Sequence, residues 1–154
     1  MDIENIYKKY FTFLEKECGF RKKRVIKEEN YQCIIMKNEF FGIRLSWEPR
    51  EGGINIYICK LTKAKKMPKY NIFIKKNTKI NGFYIEDIML LMDPKVFKII
   101  ESKKYKLLQK DIKDIKDIIL IYSKFLKNNC QKILSIENNI FNKVSKIIKK
   151  RKED

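Results

Sequence analysis

Residues 31–61 read YQCIIMKNEFFGIRLSWEPREGGINIYICKL, and the reading of this stretch decides the fold. Apolar side chains alternate through Phe41, Ile43, Leu45 and Trp47, then again through Ile54, Ile56 and Ile58. A period of two over two successive runs describes an antiparallel strand pair with one buried face. Between the runs lies Glu48-Pro49-Arg50-Glu51-Gly52-Gly53. Proline has no N–H to give a ladder, and paired glycines supply the positive φ that a return needs, so this segment is the tip of a hairpin.

Working outward, Tyr31–Met36 reads as the strand before the pair, with Lys37-Asn38-Glu39 as a tight reversal into Phe40–Glu48; Ile54–Leu61 is the returning strand. Upstream, Phe20–Lys27 carries Arg21, Lys22, Lys23 and Arg24, which suits a solvated edge strand, and Glu28-Glu29-Asn30 turns it into the next. Short connections predict four strands in sequence order, an antiparallel meander. Ahead of the sheet, Ile3, Ile6, Tyr7, Tyr10, Phe11, Leu14 and Cys18 recur at steps of three and four. They predict one amphipathic helix over 2–18, capped by Asp2 and stopped by Gly19.

Beyond the sheet the character changes. Residues 62–82 form a basic loop region in which Lys63, Lys65, Lys66, Lys69, Lys75, Lys76 and Lys79 occur without an acidic residue up to Lys79, interleaved with Tyr70, Ile72, Phe73 and Ile74. Asn81-Gly82 signals a turn. A short helix is expected over Phe83–Met92, another from Pro94 to about Glu101, and a long one over 105–128. Asn128-Asn129 is expected to end the long helix, with another turn or two over Gln131–Ile136. A last helix carries Ile140, Phe141, Val144, Ile147 and Ile148 into a basic tail at 149–154. The expectation is a single α+β domain over 1–154: a four-stranded antiparallel meander packed against an N-terminal helix and C-terminal helices.

Composition narrows the function classes. The 154 residues hold 36 Lys and Arg against 19 Asp and Glu, a formal charge of +17, with 44% hydrophobic residues. No run approaches the ~20 apolar residues of a membrane span, and the acidic, amphipathic start is unlike a secretory leader, so no membrane partner and a cytoplasmic location are expected. Most of the positive charge is lysine, in a chain rich in Ile and Asn. Arginine, the better bidentate ligand of phosphate and guanine, is scarce, and part of the charge serves solubility. The four cysteines, 18, 33, 59 and 130, have no zinc or redox spacing and read as small reduced hydrophobes, Cys33 and Cys59 inside strands.

The absence of histidine removes imidazole-based triads and metal sites. Asp111, Asp114 and Asp117 lie three apart and have the residue type for a divalent ion, but lysines flank them opposite the apolar stripe, so the reading is an exposed charge-paired face. Asp93 with Glu101-Ser102-Lys103 faintly follows a restriction-type nuclease pattern, which needs a strand end where a helix is expected. The glycines build no phosphate loop. No catalytic residue, metal or cofactor is assigned.

The order of pieces resembles small bacterial immunity proteins, the antidotes encoded beside polymorphic toxins, and related uncharacterised domains. The likeness rests on the helix ending Cys18-Gly19-Phe20, the hairpin around Trp47–Gly53, Tyr122-Ser123-Lys124-Phe125-Leu126 leading to Ile133-Leu134, and the close from Ile147 to Lys152. It implies a non-enzymatic protein that neutralises a toxin by direct binding. Nuclease antidotes are commonly acidic, so a +17 chain calls for a partner with an acidic surface. The expected contact surface is the hairpin tip, Glu48, Arg50 and Glu51, with Lys63, Lys65, Lys66, Lys69, Lys75, Lys76 and Lys79. The alternative is a nucleic-acid binder using Lys63–Lys79 and the C-terminal tail.

Overall fold

A computed structural model describes residues 2–50, 53–68, 79–107, 112–135 and 139–153. The protein is α+β, as expected, but the sheet has five strands: β1 (Arg21–Lys27), β2 (Gln32–Lys37), β3 (Phe41–Glu48), β4 (Gly53–Lys60) and β5 (Gly82–Tyr84). They lie in the order β1-β2-β3-β4-β5, each antiparallel to the next. The register joins Ile43 to Ile58, Leu45 to Ile56 and Trp47 to Ile54. Both alternating runs therefore bury the same face, and Met36 and Ile34 extend it across β2.

The fifth strand corrects the four-strand expectation and the turn at Asn81-Gly82. Phe83 pairs with Ile58 and Tyr84 with Tyr57, while Lys60 N–H donates to the Asn81 carbonyl at 2.7 Å. Three residues are too few to show a period, and the strand exists because β4 presents an edge to be paired. Gly82 is demanded here. A Cβ would overlap the Tyr57 phenol and lie 2.9 Å from Cys59 Cβ.

Among the described residues there are six helices: α1 (Ile3–Tyr10), α2 (Phe13–Lys16), α3 (Ile85–Met92), α4 (Pro94–Leu107), α5 (Ile112–Ile133) and α6 (Ile140–Glu153). The N-terminal helix is thus broken where one was expected. Phe11 and Phe13 are both buried. A straight helix would point them about 200° apart, and only a break turns both toward one sheet. Asp2 caps α1 as expected, accepting from Asn5 N–H at 2.8 Å. Ile3 N–H donates to Gln32 Oε1 at 2.9 Å, which ties the helix start to β2. Gly19, at φ +71°, reverses the chain after α2.

The long helix also differs. Residues 105–107 belong to α4, and α5 runs through Asn128-Asn129 to Ile133. The Asn129 amide donates to the Phe125 carbonyl one turn back at 2.8 Å, so it is satisfied inside the helix. Leu126, Cys130 and Ile133 continue the buried stripe past it. The helices form one layer on the apolar sheet face: α1 lies on β2 and β3, α3 and α5 on β4, and α6 against α3 and α5. Phe141 of α6 meets Phe83 and Phe41 at ring-centroid distances of 4.5 and 5.6 Å.

Asp114 corrects the exposed carboxylate face. It is 7% exposed and faces Lys103 of α4, whose ammonium lies 3.4 Å from Asp114 and 3.2 Å from Asp117. Asp111 and Lys110 lie outside the described residues. A second polar knot sits between α3, α4 and α5, where the fully buried Tyr122 hydroxyl and the Lys104 ammonium both donate to Glu86. Burial first, then the Glu86 charge, holds the Tyr122 phenol well above its ordinary range. Asp87 pairs with Arg151 of α6.

A candidate binding surface on the open sheet face

Strand alternation aims the other half of each strand away from the helices. On β2 these residues are Cys33, Ile35 and Lys37; on β3, Gly42, Arg44 and Ser46; on β4, Asn55, Tyr57 and Cys59. The chain after β4 folds back over part of this face. A Cβ at Gly42 would lie 3.1 Å from Met67 Sδ and 3.2 Å from Leu61 Cδ2, so the glycine makes room for that return.

A pocket of about 410 Å³ opens beside it, lined by Lys23, Arg24, Ile35, Lys37, Arg44, Tyr57, Met67 and Pro68. Four cations thus surround an apolar floor. Two come from neighbouring positions on β1, which strict alternation would send to opposite faces. The register shifts between Lys22 and Arg24. This bulge inserts Lys23 as an extra residue and brings it to the pocket beside Arg24. The Arg44 guanidinium lies 5.2 Å from the Tyr57 ring centroid, and Tyr57 meets Tyr84 edge-on at 5.4 Å. Burial pushes the Tyr57 phenol up to about 12, with the Cys59 side chain adding to the rise and Arg44 opposing it.

Among the described residues, none of the four cations is within ion-pair distance of a carboxylate. Like charges gathered on a partly desolvated floor repel one another, and an arriving anion relieves that repulsion. The arrangement is equipped to hold an anionic group against an apolar body. Among the described residues no group of three or more Cys, Asp or Glu side chains is placed to hold a metal ion. Asp93 accepts from Val96 N–H at 3.3 Å as a helix cap, and Lys103 is engaged by Asp114 and Asp117.

The sequence-predicted contact residues fall elsewhere. Glu48 ends β3 half-buried, and Arg50 is exposed at the tip. Lys63, Lys65, Lys66 and Lys79 are exposed, while Glu51, Lys69, Lys75 and Lys76 lie outside the described residues. The tip and the start of the lysine segment sit at opposite ends of β4, roughly 24 Å apart along the strand. Lys65 is pinned rather than free: its ammonium donates to the Glu39 carbonyl at 2.8 Å and lies 4.9 Å from the Phe40 ring centroid. Its carbonyl in turn accepts from Lys37 at 3.2 Å, which links the lysine segment to the pocket rim.

Sequence reading did not single out Lys23, Arg24, Lys37 or Arg44 as a group. A usable signal existed for part of it, since Lys37 and Arg44 occupy off-core positions of central strands. The bulge that recruits Lys23 has no sequence mark. No protein-family model matches this chain, nor does any curated protein or solved structure.

Proposed function

We propose that this chain is a non-enzymatic binding protein of the immunity kind, which neutralises a toxin by direct contact through the open face of its sheet. The observation that carries the reading is the pocket ringed by Lys23, Arg24, Lys37 and Arg44, with no acid in its lining among the described residues. A partner carboxylate entering it finds two guanidinium groups suited to bidentate pairing and two ammonium groups beside them. Ile35, Tyr57, Met67 and Pro68 supply the apolar contact that excludes water from those pairs. The net charge of +17 would speed encounter with an acidic partner at long range.

The test is growth rescue. The product of the adjacent reading frame is expressed alone, with the wild-type chain, and with a Lys23→Glu/Arg24→Glu variant. Arrest by the neighbour alone, rescue by the wild type and failure of the variant are expected. Equal rescue by the variant removes the pocket from the reading, and failure of the wild type to rescue removes the immunity role. Nucleic-acid binding is the other outcome for the same cations. It would appear as affinity for a labelled duplex oligonucleotide that falls with salt by a log–log slope of about −0.9 per phosphate neutralised.

A further inference from the structure

We infer that Cys18 and Cys130 form an oxidisable dithiol, a site that a small-molecule disulfide of the glutathione type converts to an intramolecular disulfide in the folded protein. The two Sγ atoms lie 2.7 Å apart although the residues are 112 apart in sequence. A covalent S–S bond measures ~2.05 Å, so a sub-ångström adjustment completes it. Both thiols are free. The approach is enforced by the fold. Cys18 sits in the turn after α2, just ahead of the Gly19 reversal, and Phe20 N–H anchors that reversal on the Leu14 carbonyl at 3.0 Å. Cys130 sits on the buried stripe of α5, between Leu126 and Ile133. Cys18 is half-buried while Cys130 is 6% exposed, so Cys18 is the sulfur that a reagent reaches first.

The other two cysteines serve as internal controls. Cys33 stands opposite Ser46 and Cys59 opposite Gly42, four positions along β3, roughly 13 Å apart in the strand direction alone. They face the open side of the sheet, and both are buried. Nothing brings them within bonding distance of each other.

The chemistry balances in two exchanges. The Cys18 thiolate attacks one sulfur of the small disulfide, whose S–S bond breaks, and one small thiol leaves with a proton. Cys130 then loses its proton and attacks the Cys18 sulfur of the mixed disulfide, which expels the second small thiol. The protein gives up two protons and two electrons, and the reagent is reduced to two thiols. Burial, then the hydrogen bond and charge of Cys130, raises the Cys18 thiol to about 12. Only a small thiolate fraction exists near neutral pH, so closure is slow there and quickens about tenfold per pH unit below that value.

The bond would fasten the N-terminal helices to α5 across a loop that contains all five strands of the sheet and α3 and α4. A cross-link over so long a loop restricts the unfolded chain and raises the urea midpoint.

The test incubates the native, fully reduced protein with oxidised glutathione at pH 8 and 9, then blocks free thiols and maps peptides by mass spectrometry. The titre of the 4 cysteines should fall by half. The Cys18 and Cys130 peptides should be linked, Cys33 and Cys59 blocked as free thiols, the rate about tenfold higher at pH 9, and the urea midpoint raised until a reductant is added. The inference is overturned if all four thiols persist, if Cys18 stops at a stable glutathione adduct, or if Cys33 or Cys59 is linked as readily. Because closure is read on the wild-type protein, no substituted cysteine needs to fold for the result to decide.

Discussion

The two faces of the sheet are built from alternate residues of the same strands, yet they have different occupants. Beneath the helices the register stacks Ile43 on Ile58, Leu45 on Ile56 and Trp47 on Ile54, a face without a charged side chain in those pairs. On the other side the same strands present Lys37, Arg44, Ser46, Asn55 and Tyr57, and the chain after β4 brings Met67 and Pro68 over only part of them. The first face is closed by the protein's own helices and supplies stability. The second is closed in part, with its cations lacking a carboxylate among the described residues. Hydrophobic burial is non-directional and completes itself, whereas gathered like charges are relieved from outside.

The comparison is broken most forcefully on the helix side. Leu45→Ala, at a position with no exposed surface, should cost about 2–5 kcal/mol in urea unfolding. Ile35→Ala, half-buried on the open side, should cost markedly less. Equal losses would mean that the two faces are equally closed. Gly82→Ala comes next. The added methyl meets the Tyr57 phenol and Cys59 Cβ, and about 1–3 kcal/mol of overpacking is expected in the same assay.

Alkaline titration probes the burial behind both faces. Cys18, Tyr31, Tyr57 and Tyr122 all hold their protons more tightly when folded than in the unfolded chain. Stability from these groups is complete below their ordinary values of 9.0 for the thiol and 10.0 for the phenols. Above those values the unfolded chain releases protons first, and stability falls as pH rises. Tyr122, in the helix layer, should contribute a slope of up to about 1.4 kcal/mol per pH unit above pH 10. Tyr122→Phe should flatten the urea-midpoint profile there, and an unchanged slope would remove Tyr122 from the account. The smallest expected stability effect is that of Lys23→Glu/Arg24→Glu. Both side chains are exposed on an edge strand, so the urea midpoint should move by no more than about 0.5 kcal/mol equivalent while partner binding is lost. That dissociation of stability from binding would sharpen the contrast between the faces.

Much of the framework was legible in the residues. The paired alternation placed β3 and β4 within a residue of their bounds, the basic run at Arg21–Arg24 marked the solvated edge, and Asp2 and Gly19 bounded the N-terminal helical segment as read. The break at Phe11-Thr12 was not legible, because helical spacing does not reveal that two aromatics point the same way only in a kinked segment. Asn128-Asn129 misled for a related reason: asparagine is a poor helix former, but one carboxamide found a carbonyl one turn back and the apolar stripe continued. For the candidate site the lysine-rich segment drew attention by density. The pocket instead draws its cations from three separate strands, and density along the chain does not measure convergence in space.

Sequence alone determined the first four strands, the helical character of the segments on either side of them and which side of the central hairpin is apolar, because those properties follow from periods of two and 3.6 that repeat within a few neighbouring residues. Tertiary structure alone decided the fifth strand, the bulge that sets Lys23 beside Arg24, the burial of Asp114 under Lys103 and the meeting of Cys18 with Cys130. Each is a pairing between distant parts of the chain, and its energy lies in a contact for which neither partner carries a local mark.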